Sequence, residues 1–139
     1  MSSSNPDDAA LEALLRGTRT IALVGASPDP RRPSHGVMSY LLSVGYEVTP
    51  IRPGGGEVLG VPCVASLRDL AAPPDLVDVF RAPEHVPGVV DDALAVGARA
   101  LWLQDGVIHE AAAERARAAG LQVVMDDCTL RVHRRLLGR

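Results

Sequence analysis

Short apolar runs alternate with helix-like segments along this chain, and no other feature constrains the fold as strongly. The apolar runs predict strands at 20–25, 47–51, 61–64, 76–80, 100–104 and 121–125. Apolar residues at helical spacing predict helices at about 7–16, 34–45, 86–97, 109–119 and 129–137. Strands that alternate with helices in this way are typical of an α/β fold with a parallel sheet.

The connections between these elements predict how the sheet is wound. Right-handed crossovers from a central first strand give a single Rossmann-like, doubly wound parallel sheet with strand order 3-2-1-4-5-6 and helices on both faces. A chain of 139 residues is long enough for one such domain. We expect a disordered N-terminus at residues 1–6, one domain at residues 7–139, and Ser34 as the N-cap of the second helix.

Composition bears on which partners the protein binds and in which cellular compartment it works. The formal charge of −3 argues against a protein whose main function is to bind nucleic acid. No apolar run reaches the length of a membrane span, and the start "MSSSNPDD" lacks the features of a signal peptide. The two cysteines, Cys63 and Cys128, do not form a disulfide framework. We therefore expect a cytoplasmic, reduced protein with no membrane partner.

Arginines recur where parallel strands end. Ligands of an open parallel sheet bind beyond the carboxyl ends of its strands, where the winding reverses. Four segments meet there in the expected fold, and three of them contain arginine: "GASPDPRR", "PIRP", "FRAP" and "LQDG". This convergence predicts a site for a small anionic ligand.

The loop after the first strand suits a pyrophosphate. Gly25 allows a sharp turn and a close approach of the ligand, and Ala26 and Ser27 are small. The amide groups at the start of the next helix carry partial positive charge. Arg31 or Arg32 can add a charge-assisted contact, and His35 lies near enough in sequence to reach a phosphate. The alternative is a tight strand–helix turn with two solvated arginines.

A dinucleotide site is the competing interpretation. Its G-x-G-x-x-G spacing fails here, because the next glycine after Gly25 is Gly36. The second strand ends in "PIRP", with no carboxylate for a ribose diol. Arg52 is suited instead to a ribose phosphate, which both NADP and coenzyme A (CoA) carry.

Five blocks together resemble a known family. They are "LVGASPDPRRPSHGVMSYLLSVGYEVTPIRP", "EVLGVPCVASL", "VDVFRAPEHVP", "ALAVGARALWLQDGV" and "AAGLQVVMDDC". In this order they resemble the small stand-alone CoA-binding proteins of bacteria and archaea. Those proteins are similar to the N-terminal CoA-binding domain of the succinyl-CoA synthetase α subunit.

The resemblance implies a Rossmann-like fold that binds CoA, or acyl-CoA, at the strand ends. It implies that CoA is contacted at four places. Gly25, Ala26, Ser27 and Pro28 would contact the diphosphate and pantetheine region, and Ile51, Arg52 and Pro53 would line the adenosine end. The other contacts to the coenzyme would come from Phe80, Arg81 and Ala82 and from Arg31, Arg32 and Ser34.

Nothing in the sequence predicts catalysis by this chain alone. The synthetase uses a phosphorylatable histidine in a second domain and an ATP-binding partner subunit, and this chain has room for neither. Its cysteines and histidines are scattered without metal-ligand spacing. A non-catalytic CoA-binding protein is the main hypothesis. A CoA-binding component of a multi-chain acyl-CoA ligase or transferase is the alternative, and an NADP-binding reductase is disfavoured. The sequence leaves open the acyl group, any protein partner, the oligomeric state and the role of Cys128.

Overall fold

The computed structural model describes residues 5–138, which contain five α-helices and seven strands. The helices are α1 (Asp8–Gly17), α2 (Pro33–Ser43), α3 (Val86–Val96), α4 (Glu110–Ala118) and α5 (Thr129–Leu136). The strands are β1 (Thr20–Val24), β2 (Glu47–Ile51), β3 (Glu57–Val58), β4 (Val61–Pro62), β5 (Leu76–Val79), β6 (Ala100–Leu103) and β7 (Gln122–Met125). Short 3₁₀ turns at Leu67–Asp69 and Pro83–His85 precede β5 and α3 respectively.

Five of the strands form one parallel sheet in the order β2-β1-β5-β6-β7. The register sets Ile21 of β1 beside Val48 of β2 and Leu76 of β5. Because β1 lies inside the sheet and the chain leaves it first to one side and then to the other, the sheet is doubly wound. The α/β fold with a parallel, helix-flanked sheet is therefore confirmed.

The sheet is apolar on both faces, as a parallel sheet covered by helices must be. On one face the side chains of Ile21, Leu23 and Trp102 pack with α1, α2 and α5. On the other face Val77 and Leu101 pack with α3 and α4. Trp102 is fully buried, and its indole N–H donates to the carbonyl oxygen of Asp127 at 3.0 Å.

The expected six-stranded order 3-2-1-4-5-6 is not observed, because the third predicted strand stays outside the main sheet. This segment instead folds back on itself as the antiparallel β3–β4 hairpin. Left-handed backbone at Leu59 (φ 52°) and Gly60 (φ 79°) makes the tight turn between the two strands. Val64 reaches the sheet edge through an isolated parallel bridge to Ile51.

One local expectation needs correction, and another lies mostly outside the described residues. Helix α2 begins at Pro33 with Arg32 at the N-cap position, so Ser34 lies inside the first turn and is buried. Proline at the first helical position starts the helix because its φ is already helical. Within the segment expected to be disordered, residues 1–4 lie outside the described residues. Asn5 is held: its amide donates to the Met125 carbonyl at 2.8 Å and accepts the Met125 N–H at 2.9 Å.

Candidate functional site

A cleft of about 560 Å³ opens at the carboxyl edge of the sheet, where the loops after β1, β5 and β6 meet the starts of α2 and α5. This is the edge at which a doubly wound sheet binds its ligands. The structure brings seven of the residues predicted from sequence to its walls: Gly25, Ala26, Ser27, Arg32, Ser34, Phe80 and Arg81.

Gly25 is the pivot of the loop after β1. Its φ of 86° is left-handed, and its N–H donates to the carbonyl oxygen of Ile51 at 3.3 Å. A Cβ on Gly25 would lie 2.6 Å from the carbonyl oxygen of Phe80, which is closer than atoms can approach. Both the backbone angle and the neighbouring strand therefore require glycine here.

The start of α2 faces the cleft without a side-chain cap. Arg32 at the N-cap position makes no capping hydrogen bond, and Pro33 follows at the first helical position. Ser34 is only 3% exposed and lines the cleft, and no described residue hydrogen-bonds to its hydroxyl group. This end of the helix therefore offers both its positive dipole and a free hydroxyl group to a ligand.

The two adjacent arginines of this loop have different surroundings. Arg31 lies outside the cleft and forms a bidentate pair with Asp29, with N···O distances of 3.1 and 3.0 Å. This guanidinium group lowers the pKa of Asp29. Arg32 lines the cleft, as does the half-buried Arg81 from the β5 side. Neither Arg32 nor Arg81 forms a salt bridge within residues 5–138, so two guanidinium groups remain available for an anion.

The loop after β2 lies beside the cleft, not on its wall. Ile51 is buried, Pro53 is exposed, and the half-buried Arg52 donates to the carbonyl oxygen of Gly55 at 3.0 Å. Three further predicted residues do not line the cleft either: the exposed Pro28 and Ala82, and the half-buried His35.

The cleft also has walls that the sequence did not single out as site residues: Pro33, Val37, Gln104, Asp105, Val107 and Cys128. The segment "LQDG" was expected at this edge, so Gln104 and Asp105 could have been found from it. Asp105 would repel an anion, but Arg131 holds its carboxylate in a bidentate pair at 3.0 and 2.8 Å. This pairing lowers the pKa of Asp105 and offsets its charge.

A buried polar network lies beneath the cleft and was also missed. Asp78, at 0% exposure in the centre of β5, accepts hydrogen bonds from Gln104 Nε2 at 2.5 Å and from Thr129 Oγ1 at 3.0 Å. Burial raises the pKa of Asp78 to about 7, although the bonds from Gln104 and Thr129 act in the opposite direction. The sequence signal is one carboxylate inside the otherwise apolar run "LVDVF".

A second, wider cavity of about 760 Å³ lies at the opposite edge of the sheet, where β1 and β2 begin. Arg16, Glu47 and His133 are among its walls, and none of the predicted site residues lies there. His133 is buried, its Nδ1 is 2.7 Å from the Tyr40 hydroxyl group, and burial lowers its pKa. His133 is therefore a packing residue, and the larger cavity is not the better candidate site.

Two further classes of site were searched in residues 5–138. No group of three or more His, Cys, Asp or Glu side chains there is placed to hold a metal ion. In the same range, every helix is too short or too polar to cross a bilayer.

The fold and the cleft together define a class: a doubly wound α/β domain with an arginine-bearing cleft at the carboxyl edge of its sheet. Within this class the chain belongs to the CoA binding domain family, whose sequence profile matches residues 19–134. The family predicted from the sequence blocks is confirmed, and membership supports a CoA-binding role.

Three similar proteins differ in their sequence identity to this chain and in how much of their own length the match covers. The uncharacterized protein YneT of Bacillus subtilis (strain 168) is 38% identical over 93% of this chain and 96% of its own. A solved structure of a hypothetical protein from Pyrococcus horikoshii OT3 is 38% identical, with a TM-score of 0.95 over 99% of this chain and 97% of that one. The dinucleotide-forming acetyl-coenzyme A synthetase 1 of Ca. Korarchaeum cryptofilum is 27% identical, with a TM-score of 0.69. The match covers 79% of this chain but 27% of that much longer one.

Proposed function

We propose that this chain is a CoA or acyl-CoA binding protein without catalytic activity of its own, and that residues 7–139 form its binding domain. One observation carries the proposal: in a chain of the CoA binding domain family, the uncapped start of α2, Gly25 and two guanidinium groups line the same cleft. Neither guanidinium group has a salt-bridge partner among residues 5–138. A diphosphate needs such donors.

The diphosphate group fits against the loop Gly25–Ser27 and the first turn of α2. Backbone amides can approach it closely because Gly25 has no side chain, and Arg32 and Arg81 neutralise its charge from two sides. The pantetheine arm then extends past Phe80 toward Gln104 and Cys128, which line the other half of the cleft.

The adenosine end extends toward the loop Ile51–Pro53. Arg52 gives one hydrogen bond to Gly55, and a guanidinium group has five N–H donors, so others stay available for the 3′-phosphate. Through Arg52 this loop would distinguish CoA from ligands that lack that phosphate.

Ligand-dependent thermal stability tests the proposal. CoA should raise the Tm in a concentration-dependent way, because a ligand that binds only the folded state stabilises it by mass action. NADP, which also carries a ribose phosphate and a diphosphate, is the matched control and should raise the Tm much less. Stabilisation by NADP without stabilisation by CoA would overturn the proposal.

A second candidate function follows from one comparison. Because the match to the acetyl-coenzyme A synthetase covers about a quarter of that enzyme, this chain could be the CoA-binding component of a multi-chain acyl-CoA ligase or transferase. Affinity capture with the tagged chain, followed by an assay for ATP-dependent acyl-CoA formation, tests this. Recovery of the chain alone, without such activity, would count against it.

A further inference from the structure

Three buried polar side chains form a closed ring under the cleft. The carboxylate of Asp78 accepts from Gln104 Nε2 at 2.5 Å and from Thr129 Oγ1 at 3.0 Å. Gln104 Nε2 also donates to Thr129 Oγ1 at 2.9 Å. Asp78 and Thr129 are 0% exposed and Gln104 is 4% exposed, so water does not compete for these bonds.

The ring fixes the direction of the Gln104 amide. An ionised carboxylate only accepts hydrogen bonds, so it requires the NH₂ group of Gln104 to face it. Both amide hydrogens are then used within the ring. The carbonyl oxygen Oε1 has no donor among the described residues, and Gln104 lines the cleft. The floor of the cleft therefore presents a hydrogen-bond acceptor.

We propose that Asp78 is a positioning residue that sets the hydrogen-bonding polarity of the cleft through Gln104. While Asp78 is ionised, Gln104 presents its carbonyl oxygen to the ligand. Once Asp78 is protonated on Oδ1, the oxygen that faces Gln104, this O–H donates, and Gln104 reverses so that Oε1 accepts the bond. The NH₂ group then faces the cleft, and the floor changes from acceptor to donor. A proton on Oδ2 that donates to Thr129 Oγ1 would instead leave Gln104 in place, and this is the alternative that the experiments below test.

The surroundings allow this change to occur near neutral pH. Apolar residues flank Asp78 on both sides in the sheet, Leu23 on β1 and Trp102 on β6, and the α5 residue bonded to it is Thr129. Burial raises the pKa of Asp78 to about 7. The charged and titratable groups of the cleft itself come from α2, β5, β6 and α5: Arg32, Arg81, Asp105 and Cys128.

The consequence for the ligand rests on the proposed function. The pantetheine arm of CoA carries both amide N–H and amide carbonyl groups, and in this account an N–H faces Gln104. That N–H can donate to Gln104 Oε1 only while Asp78 is ionised. CoA should therefore bind more tightly above neutral pH. Simple repulsion between the Asp78 charge and the anionic CoA would give the opposite direction.

The first experiment uses the ligand-free protein. The side-chain amide NMR resonances of Gln104, identified by their loss in Gln104→Glu, should shift with a midpoint near pH 7 in the wild type. In Asp78→Asn they should not titrate, whereas Asp69→Asn, an exposed matched control, should behave as the wild type. Resonances that do not move between roughly pH 5 and pH 9, or that still titrate in Asp78→Asn, would overturn the inference.

The second experiment measures the Kd of CoA by calorimetry at pH 5.5 and pH 8.5. Dividing the wild-type change by that of Asp78→Asn removes the titration of CoA's own phosphate. We expect the wild type to gain roughly two- to tenfold more affinity at the higher pH, the effect of one hydrogen bond. Equal ratios, or weaker binding at high pH, would overturn the role of Asp78. If CoA does not bind the wild type at either pH, the proposed function fails, and the NMR titration still decides whether Asp78 controls Gln104.

Discussion

Gly25 and Phe80 lie so close together that a Cβ on Gly25 would be 2.6 Å from the carbonyl oxygen of Phe80. Two neighbouring strands end at this contact, since the Phe80 N–H donates to the carbonyl oxygen of Val24 at 2.8 Å. The wall of the cleft between Gly25 and Phe80 is therefore two backbones in contact, with no side chain between them.

Gly25→Ala should destabilise the protein and abolish CoA binding. The left-handed φ of 86° costs an alanine roughly 1–2 kcal/mol, and the clash with Phe80 adds roughly 1–3 kcal/mol. Urea unfolding and calorimetry with CoA measure the two effects. Gly36→Ala is the matched control, because a Cβ there meets nothing within 4 Å and alanine favours the helix. Equal stability of both variants would contradict this account of the loop.

Arg32→Ala should weaken CoA binding by roughly 1–3 kcal/mol, the contribution of a charged hydrogen bond. Arg31→Ala should leave the Kd nearly unchanged, because the Arg31 side chain is 89% exposed and paired with Asp29. Calorimetric titration of both variants gives the comparison. If Arg31→Ala lost more affinity than Arg32→Ala, the assignment of the two arginines would be reversed.

Dephospho-CoA should raise the Tm less than CoA does if Arg52 binds the 3′-phosphate. The difference between the two ligands should disappear in Arg52→Ala, because that variant has no guanidinium group on the β2 loop. Thermal unfolding with each ligand measures this. Equal Tm shifts with CoA and dephospho-CoA in the wild type would remove Arg52 from the site.

Asp78→Asn should change how stability depends on pH. The pKa of Asp78 is about 7 in the folded protein and 3.8 ordinarily, so between these values the native state binds a proton that the unfolded chain lacks. The free energy of unfolding therefore falls as pH rises through this window, by about 1.4 kcal/mol per pH unit at most.

Below pH 4 the Asp78→Asn substitution should have little effect, and above pH 7 the variant should be the more stable protein. Urea unfolding at a series of pH values measures the difference. The lowered pKa of His133 is common to both proteins and cancels. A wild type that stays the more stable protein at pH 8 would show that the Asp78 carboxylate is stabilising.

Local patterns predicted the elements well because their causes are local. The run "EVTPI" forms β2 at Glu47–Ile51 as expected. The place of Gly25 in the cleft also followed from the order of strand, glycine and helix. The prediction that residues 61–64 form a strand of the main sheet was wrong. A strand joins a sheet only where a neighbouring strand can pair with it, and a single apolar run does not specify that neighbour.

The sequence by itself determined the α/β class, since periodicity and strand–loop–helix order are encoded in neighbouring residues, and the resemblance of its sequence blocks identified the family. It also predicted the edge of the sheet at which the cleft lies. Only the tertiary structure decided that Arg32 and not Arg31 lines the cleft. It also joined Asp78 to Gln104, 26 residues away, and to Thr129, 51 residues away. Such pairings depend on how segments that are distant in the sequence pack together. The same packing buries Asp78 and so raises its pKa, which no local sequence pattern predicts.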